Sequence, residues 1–523
     1  MATLSETFYI TGVLHLFPKM IGADKMLNFS KSKYCAFCKC QMKAWLNKYK
    51  HDEAFFDDSA LARMKVGNEV GDLAMGYFGD FVEVTEYTDG DIDLVKMAER
   101  TKEELAKGTP VICEASFFYG GLYCAVDILR REGDGWAIYE VKSSTDADKP
   151  TYIDDVSYQK YVLEHCEINV TGTYLLCIDN TYVFDGTLDI HKLFKVTDLS
   201  EQVAEKLPEV EGDLEIAERL LSSETDPGIP VGMQCEKPGE CEYWGYCTRN
   251  LPKPNVFDIY NLSMKNKVAL YDRGLVDLSS LEKEASIKND KQKRQIDFAV
   301  HDRGAYIDKE KIAEFLTTLS YPLYFLDFES VQPAVPKYAG TKPYTQVPFQ
   351  YSLHYIESEG GQLKHKEFLA QAGTDPLRPI AEALCKDIPA DACVTVYNKS
   401  FECTRLKELA EYFPDLSQHL LSIRDNIADL LVPFQSGWYY NREMGGSFSI
   451  KSVLPALFPD DPSLDYHNLN GIHNGGEAMN AFPAMEKMSG EELEQTRRNL
   501  LEYCKLDTLA MVKVWEKLKE AAE

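Results

Sequence analysis

Apolar and polar positions fall into two blocks with an α/β rhythm, separated by a more helical stretch. The spacing of Leu61, Met64, Leu73 and Tyr77 predicts a helix. Three β-rich runs follow at 110–118, 121–130 and 136–142, with Gly133-Asp134-Gly135 as a hairpin turn between the last two. An amphipathic helix over 152–166 and a strand over 172–178 complete the order α-β-β-β-α-β. A polar stretch with Pro and Gly, 222–230, then closes a long helix, and short helices with a lysine-rich connector run from 252 to about 319. The second block opens with an apolar strand over 322–329 and continues through strands near 349–356 and 364–370. A helix near 380–386, a strand over 392–397 and further helices ending with 491–519 complete it. No internal repeat relates the halves, so two different folds are expected.

At roughly 100–200 residues per domain, 523 residues suffice for two to four domains. The patterning divides them as 1–250, 251–319 and 320–523. A chain 45% hydrophobic and 27% charged, without low-complexity tracts, is neither disordered nor fibrous. No run approaches the roughly 18 apolar residues of a membrane span, and the apolar stretch 8–17 follows Glu6 instead of a basic segment. The expectation is a protein of a reducing cytoplasm with no membrane partner. The 14 cysteines agree, being too sparse for a disulfide scaffold and bunched as ligands are. Fifty-six basic against 84 acidic residues give a net charge of -28, which repels polyanions at long range. Phosphate binding depends on local patches, however, and the first fifty residues carry eight lysines against only Glu6 and Asp24. A second basic stretch holds Lys265, Lys267, Lys288, Lys291, Lys293 and Arg294.

Asp127 lies in the apolar run Leu122-Tyr-Cys-Ala-Val-Asp-Ile-Leu, and the hairpin returns through Ile138-Tyr-Glu-Val-Lys142. Glu140 and Lys142 are two apart on a strand and leave one face. Carboxylates in apolar strands are costly unless they serve something. Two acids beside a lysine can hold Mg²⁺ or Mn²⁺, which positions water or stabilises charge on a phosphate, with Gln159 on the next helix orienting the group. The order resembles the PD-(D/E)XK nuclease superfamily, in its iron–sulfur RecB-like branch, over roughly residues 27–250. The resemblance implies a restriction-endonuclease-like fold with Asp127, Glu140 and Lys142 in catalytic positions and Glu114 as an additional ligand. It also matches Gln159 to the start of a helical QxxxY motif. Gly67-Asn-Glu-Val-Gly71 lacks the family's histidine, with Glu69 nearest in character, and Leu163 replaces the motif's tyrosine.

Cys235, Cys241 and Cys247 are spaced C-x5-C-x5-C around Pro and Gly, a wrapping pattern one thiolate short of a full set. Cys35, Cys38 and Cys40 are available for the fourth place, and zinc is a structural rival. The RecB-like resemblance implies a [4Fe–4S] cluster tying the two segments together. Ser30-Lys-Ser32 with Cys40-Gln-Met-Lys-Ala-Trp-Leu46 is similar to the family's first-cysteine segment, which assigns that place to Cys40.

Leu326-Asp-Phe-Glu329 puts Asp327 and Glu329 on one strand face, and Tyr503 and Asp507 share a helical face at i, i+4. Between them, Tyr397-Asn-Lys-Ser-Phe-Glu402 leaves a strand for a helix that starts with a carboxylate. This order resembles the DEDD exonucleases of the DnaQ-like, RNase H-like fold over about residues 320–520. It implies two metal ions held by Asp327, Glu329, Glu402 and Asp507, with Tyr503 aligning the water and Asp425 or Asp429 as alternatives to Glu402. Together the halves resemble a bacterial family pairing a RecB-like nuclease with an RNase H-like nuclease domain. Asn261 to Leu278 resembles a helix-hairpin-helix element; a plain helical linker fits it equally.

The expected function is a metal-dependent nuclease acting on nucleic acid, DNA more than RNA, in repair, recombination or defence against foreign DNA. An RNA-processing exonuclease driven by the C-terminal domain is one alternative. A non-catalytic, redox-sensing nucleic-acid scaffold is the other.

Overall fold

Glycine turns set off the apolar runs of the first half as strands. A computed structural model describes residues 29–523 apart from Glu236, Pro238 and Glu240; the apolar stretch 8–17 lies outside the described residues. By internal contacts the chain divides into two units. The first holds the described residues to Gln234 with Gly239–Cys247 and Ala334–Pro343; the second holds Cys235–Pro238, Thr248–Pro333 and Tyr344–Glu523. Residues 251–319, expected as a separate connector, group with the second unit.

Apart from the short pair Tyr87–Thr88 and Asp91–Ile92, the strands of the first unit are β1 Phe29–Ser30, β2 Val82–Glu83, β3 Val111–Tyr119, β4 Leu122–Glu132, β5 Gly135–Lys142, β6 Val170–Ile178 and β7 Phe194–Asp198. These seven form one mixed sheet ordered β2-β3-β4-β5-β6-β7, with β1 added against β4. The hairpin turns where expected, with Gly133 at φ +61°, a conformation that favours glycine. Pairing of β4 with β5 runs from Glu132 opposite Gly135 to Ile128 opposite Tyr139 and then stops. The edge of β4 that β5 leaves is taken by β1, Phe29 opposite Leu122 and Ser30 opposite Tyr123. Helices α1 Lys31–Lys39, α2 Gln41–Tyr49, α3 Pro150–His165 and α4 Ser200–Leu221 belong to the same unit. Its core buries Tyr34, Trp45, Tyr158 and Tyr243, and the Trp45 indole donates to the Ser223 carbonyl at 2.9 Å. The helix expected around 61–77 is present as Asp58–Ala74. Its buried positions are Val70 and Ala74, however, while Leu61 and Met64 are exposed: the small residues make the close face.

The second unit has strands β8 Leu323–Val331, β9 Val347–Ile356, β10 Lys364–Leu369, β11 Cys393–Val396 and β12 Ile427–Asp429, ordered β10-β9-β8-β11-β12. The β8–β9 and β9–β10 pairs are antiparallel, and the β8–β11 and β11–β12 pairs parallel. Helices α5 Ser400–Tyr412, α6 Gly475–Ala484 and α7 Gly490–Ala522 complete the frame of the site. The long α7 lies on the sheet, where the Gln350 side chain donates to the Leu500 carbonyl at 2.8 Å and Phe325 meets Trp515 edge-on. Near the start of this unit, Met264–Tyr271 is a helix and Gly274 turns at φ +77°, but the second arm is only the 3-10 turn Leu278–Leu281. Lys291 and Arg294 of the basic stretch bond the carbonyls of Gln435 and Gly437. Among the described residues no helix is long and apolar enough to cross a membrane.

Candidate metal-binding sites

In the first unit the site begins where the sheet parts. The β3–β4 ladder passes from Cys113 opposite Ile128 to Ala115 opposite Val126, skipping Glu114 and Asp127. Glu114 takes φ +57°, a left-handed backbone that costs a non-glycine residue about 1–3 kcal/mol. Beyond the point where β4 and β5 part, the Val141 N–H of β5 donates to Asp127 Oδ2 at 2.7 Å. The interruption therefore converts a ladder position into a side-chain site.

Into this gap β1 delivers Lys31 at the first position of α1. Its ammonium lies 3.3 Å from Asp127 Oδ1 and 3.1 Å from both carboxylate oxygens of Glu140. On the other side of Glu140, Lys142 donates to Oε1 at 2.6 Å and to Asp155 Oδ2 at 2.8 Å. Gln159 completes the set, its amide donating to Glu140 Oε2 at 2.6 Å and to Asp155 Oδ1 at 2.9 Å. Four residues expected here, Asp127, Glu140, Lys142 and Gln159, thus converge. Burial and then the Asp127 carboxylate push Glu140 up to about 7. The same two causes push Glu114 up to about 8. Against its own burial, Asp155 is held well below the usual carboxylate range by the ammonium groups of Lys31 and Lys142. These groups line a cleft of about 1150 Å³ that also exposes Lys39 and Lys43, so three of the early lysines face it.

Two residues of this site were not anticipated. Lys31 was legible only as part of the Ser-Lys-Ser segment. Asp155 carried a signal, standing four residues before Gln159 on one helical face. Glu69 is exposed, and Asp72 is the acid of that helix that lines the cleft. Leu163 is fully buried.

The three early cysteines separate by environment. Cys35 lines the carboxylate cleft, Cys38 bonds Tyr34, and Cys40 acts electrostatically on Cys241. The segment carrying Cys241 and Cys247 is tied to α2 by Lys43 to Glu242 at 2.7 Å and by the Tyr243 hydroxyl to Asn47 at 2.8 Å. Cys40, Cys241 and Cys247 are partly exposed against the unit's core. Cys235 is partly exposed in the turn Met233–Cys235.

In the second unit Asp327 and Glu329 project from β8, which carries a bulge directly after Glu329. Asp507 and Tyr503 come from α7, and Glu402 from the first turn of α5. The strand-to-helix switch before Glu402 uses Asn398 at φ +76°. Asp429 fixes that switch, accepting from the N–H groups of Asn398 at 2.9 Å, Lys399 at 3.0 Å and Leu431 at 2.9 Å. Asp429 is thus occupied by backbone and Asp425 pairs with Arg424 at 2.6 Å, whereas Glu402 is buried with Oε2 bonded to nothing. Asp327 is held well above the carboxylate range by burial and by the charges of Asp507, Glu329 and Glu402. Burial pushes Glu402 up to about 8, and burial with Asp507 does the same to Glu329. Asp507 rises only to about 6: burial acts upward, while the Tyr466 hydroxyl, donating at 2.6 Å, and the Lys451 ammonium act downward. Tyr503 also bonds Asp507. Tyr466, Lys451 and Cys504 are the members sequence did not single out, and Tyr466 and Lys451 lie outside any motif. Asp327 and Glu329, with one donor oxygen each within 4.8 Å of the other, fit a divalent cation, which accepts oxygen donors of this type.

Residues 324–449 match a family described as a domain of unknown function (DUF2779). The chain is 27% identical over 206 residues to the uncharacterized protein MG366 homolog of Mycoplasma pneumoniae, covering 36% of this chain and 31% of that protein. It is 25% identical over 221 residues to the uncharacterized protein UU173 of Ureaplasma parvum, covering 38% and 31%. The chain thus spans about a third of the length of the curated relatives it matches. No solved structure matches it.

Proposed function

We propose that the chain is a metal-dependent nuclease that hydrolyses phosphodiester bonds in nucleic acid, DNA in preference to RNA. The observation that carries this reading is the point between Asp127 and Glu140 where the Lys31 ammonium lies, with Lys142 beside it and Gln159 holding Glu140. A cation already stands between the two acids, so Mg²⁺ or Mn²⁺ fits there, held by Asp127 and Glu140 with Glu114 at hand. Bound there, the metal supplies an activated water and neutralises charge on the scissile phosphate. The chain's own part is to bind and orient: Lys142 and the displaced Lys31 offer ammonium groups to the phosphate, Gln159 fixes Glu140, and Lys39 and Lys43 hold the strand along the cleft. The second unit supports an exonuclease of the RNase H-like kind. Its sheet order, third-second-first-fourth-fifth with the last three parallel, accords with that fold, and its acids would hold metal as in the DEDD resemblance. The [4Fe–4S] reading rests on the RecB-like resemblance, which assigns Cys40, Cys235, Cys241 and Cys247 as its ligands, and on the electrostatic effect of Cys40 on Cys241.

Cleavage of single- and double-stranded DNA and RNA with Mn²⁺, Mg²⁺ or EDTA tests the activity. Asp127→Ala, Glu140→Ala and Lys142→Ala are each expected to lower cleavage by orders of magnitude while leaving binding largely intact. Undiminished cleavage by the Asp127→Ala, Glu140→Ala double variant moves the activity out of this site. Anaerobically purified protein is expected to be brown with about four irons per chain; colourless protein with one zinc replaces the cluster by a zinc site.

A further inference from the structure

The DEDD pattern accounts for the acids of the second unit but leaves out the thiol among them. Cys504 follows Tyr503 on α7 and precedes Asp507 by one helical turn, so it faces β8 with the acid. Its Sγ lies 3.9 Å from both the carbonyl and the Oδ2 of Asp327, and it is fully buried. One donor atom each from Asp327, Glu329 and Cys504 lies within 4.8 Å of the other two. A cation held about 2.0–2.3 Å from each donor needs the three side chains to close in by roughly half an ångström at most.

Two further observations point to a cation here and not to a packed sulfur. Glu402 is 3% exposed with Oε2 unbonded, and its charge acts on Asp327. Glu329 and Asp507 are also buried, and the Lys451 ammonium acts on both. A thiol placed for volume alone needs no carboxylate neighbours, and its weak S–H donor satisfies them poorly.

We infer that Cys504 is a metal ligand, and that Asp327, Glu329 and Cys504 form a mixed oxygen–sulfur position preferring a thiophilic divalent cation such as Zn²⁺ over Mg²⁺. Thiolate is the ligand that shifts preference from hard to borderline cations. On binding, the S–H bond breaks, the proton leaves to water and the sulfur lone pair enters the metal–sulfur bond. The inference rests on the reading of this unit as a metal site, and adds that the site discriminates between metals.

The test uses the full chain and Co²⁺, Zn²⁺ and Mg²⁺ as probes. Because other thiols bind Co²⁺, the readout is the difference between wild type and Cys504→Ser. That difference is expected to contain a sulfur-to-cobalt charge-transfer band. Cys504→Ser is expected to weaken Zn²⁺ binding by at least the roughly 10–100-fold that outer partners of a metal ligand are worth, with Mg²⁺ binding little changed. Asp327→Asn is expected to reduce binding of both ions. Loss in Asp327→Asn with neither a cobalt difference nor a zinc change in Cys504→Ser overturns the thiolate ligand alone. Unchanged Mg²⁺ and Zn²⁺ binding in Asp327→Asn overturns the metal-site reading itself. Cys504→Ala serves as a second variant should serine disturb the fold.

Discussion

On the proposed reading, Lys31 has two roles at the residue scale, with opposite consequences for metal. In the metal-free protein it neutralises Asp127 and Glu140, of which Glu140 is 1% exposed. With a divalent cation present it competes for the same oxygens. Lys31→Met is therefore expected to destabilise metal-free protein by about 1–3 kcal/mol, below the roughly 3–5 kcal/mol of an isolated buried pair because Lys142 still faces Glu140. It is also expected to increase the rise in melting temperature that Mn²⁺ produces, since ligand binding to the native state stabilises it. Equal Mn²⁺ shifts in wild type and Lys31→Met would place the metal elsewhere.

At the scale of elements, α7 is fastened to the sheet by a polar chain one residue beyond Asp507. The Thr508 hydroxyl is 2.7 Å from both Ser352 Oγ and His354 Nδ1, and Ser352 Oγ is 3.0 Å from His365 Nε2. Burial, then His365 and Lys505, lowers His354 from 6.5 to about 3; burial and Lys505 lower His365 to about 4. Both histidines protonate more readily unfolded than folded. Their stabilising contribution is therefore present above about pH 6.5 and is lost as pH falls through 4 and then 3. The raised carboxyls of the same unit act in the opposite sense, so the readout is a difference. His354→Gln is expected to flatten the fall in melting temperature between pH 6.5 and 3, and parallel curves for the two proteins would remove the pair from the acid response. Elements were legible in sequence where apolar residues run between strong breakers, as in β3, β4, β5, β8 and β9. The short strands β1, β2, β7 and β12 were not, since two to five residues carry no period and their pairing is decided by distant partners. The sites divide the same way. Asp127, Glu140, Lys142, Asp327, Glu329 and Asp507 stood out because charge in an apolar strand or at helical spacing is conspicuous. Lys31, Lys451 and Tyr466 reach their sites through the fold alone, and no local pattern marks them.

For the molecule as a whole, the decisive fact is that the two acid clusters belong to different sheets. Asp127 and Glu140 lie on the seven-stranded sheet, Asp327 and Glu329 on the five-stranded one, and each unit encloses its own buried side chains. Substitutions in groups that share no partners add nearly independently. Each cluster should then hold its own metal, and the two proposed activities should separate by mutation. Asp327→Ala is expected to remove the component that trims ends to mononucleotides or short products while sparing cleavage by the first unit. Asp127→Ala is expected to do the converse, and the double variant to retain neither. The measurement is product length on end-labelled single-stranded DNA and RNA for the wild type and these three variants. Identical ladders from wild type and Asp327→Ala on every substrate would make the second unit a binding platform. Its buried acids would then serve metal binding or stability in place of hydrolysis.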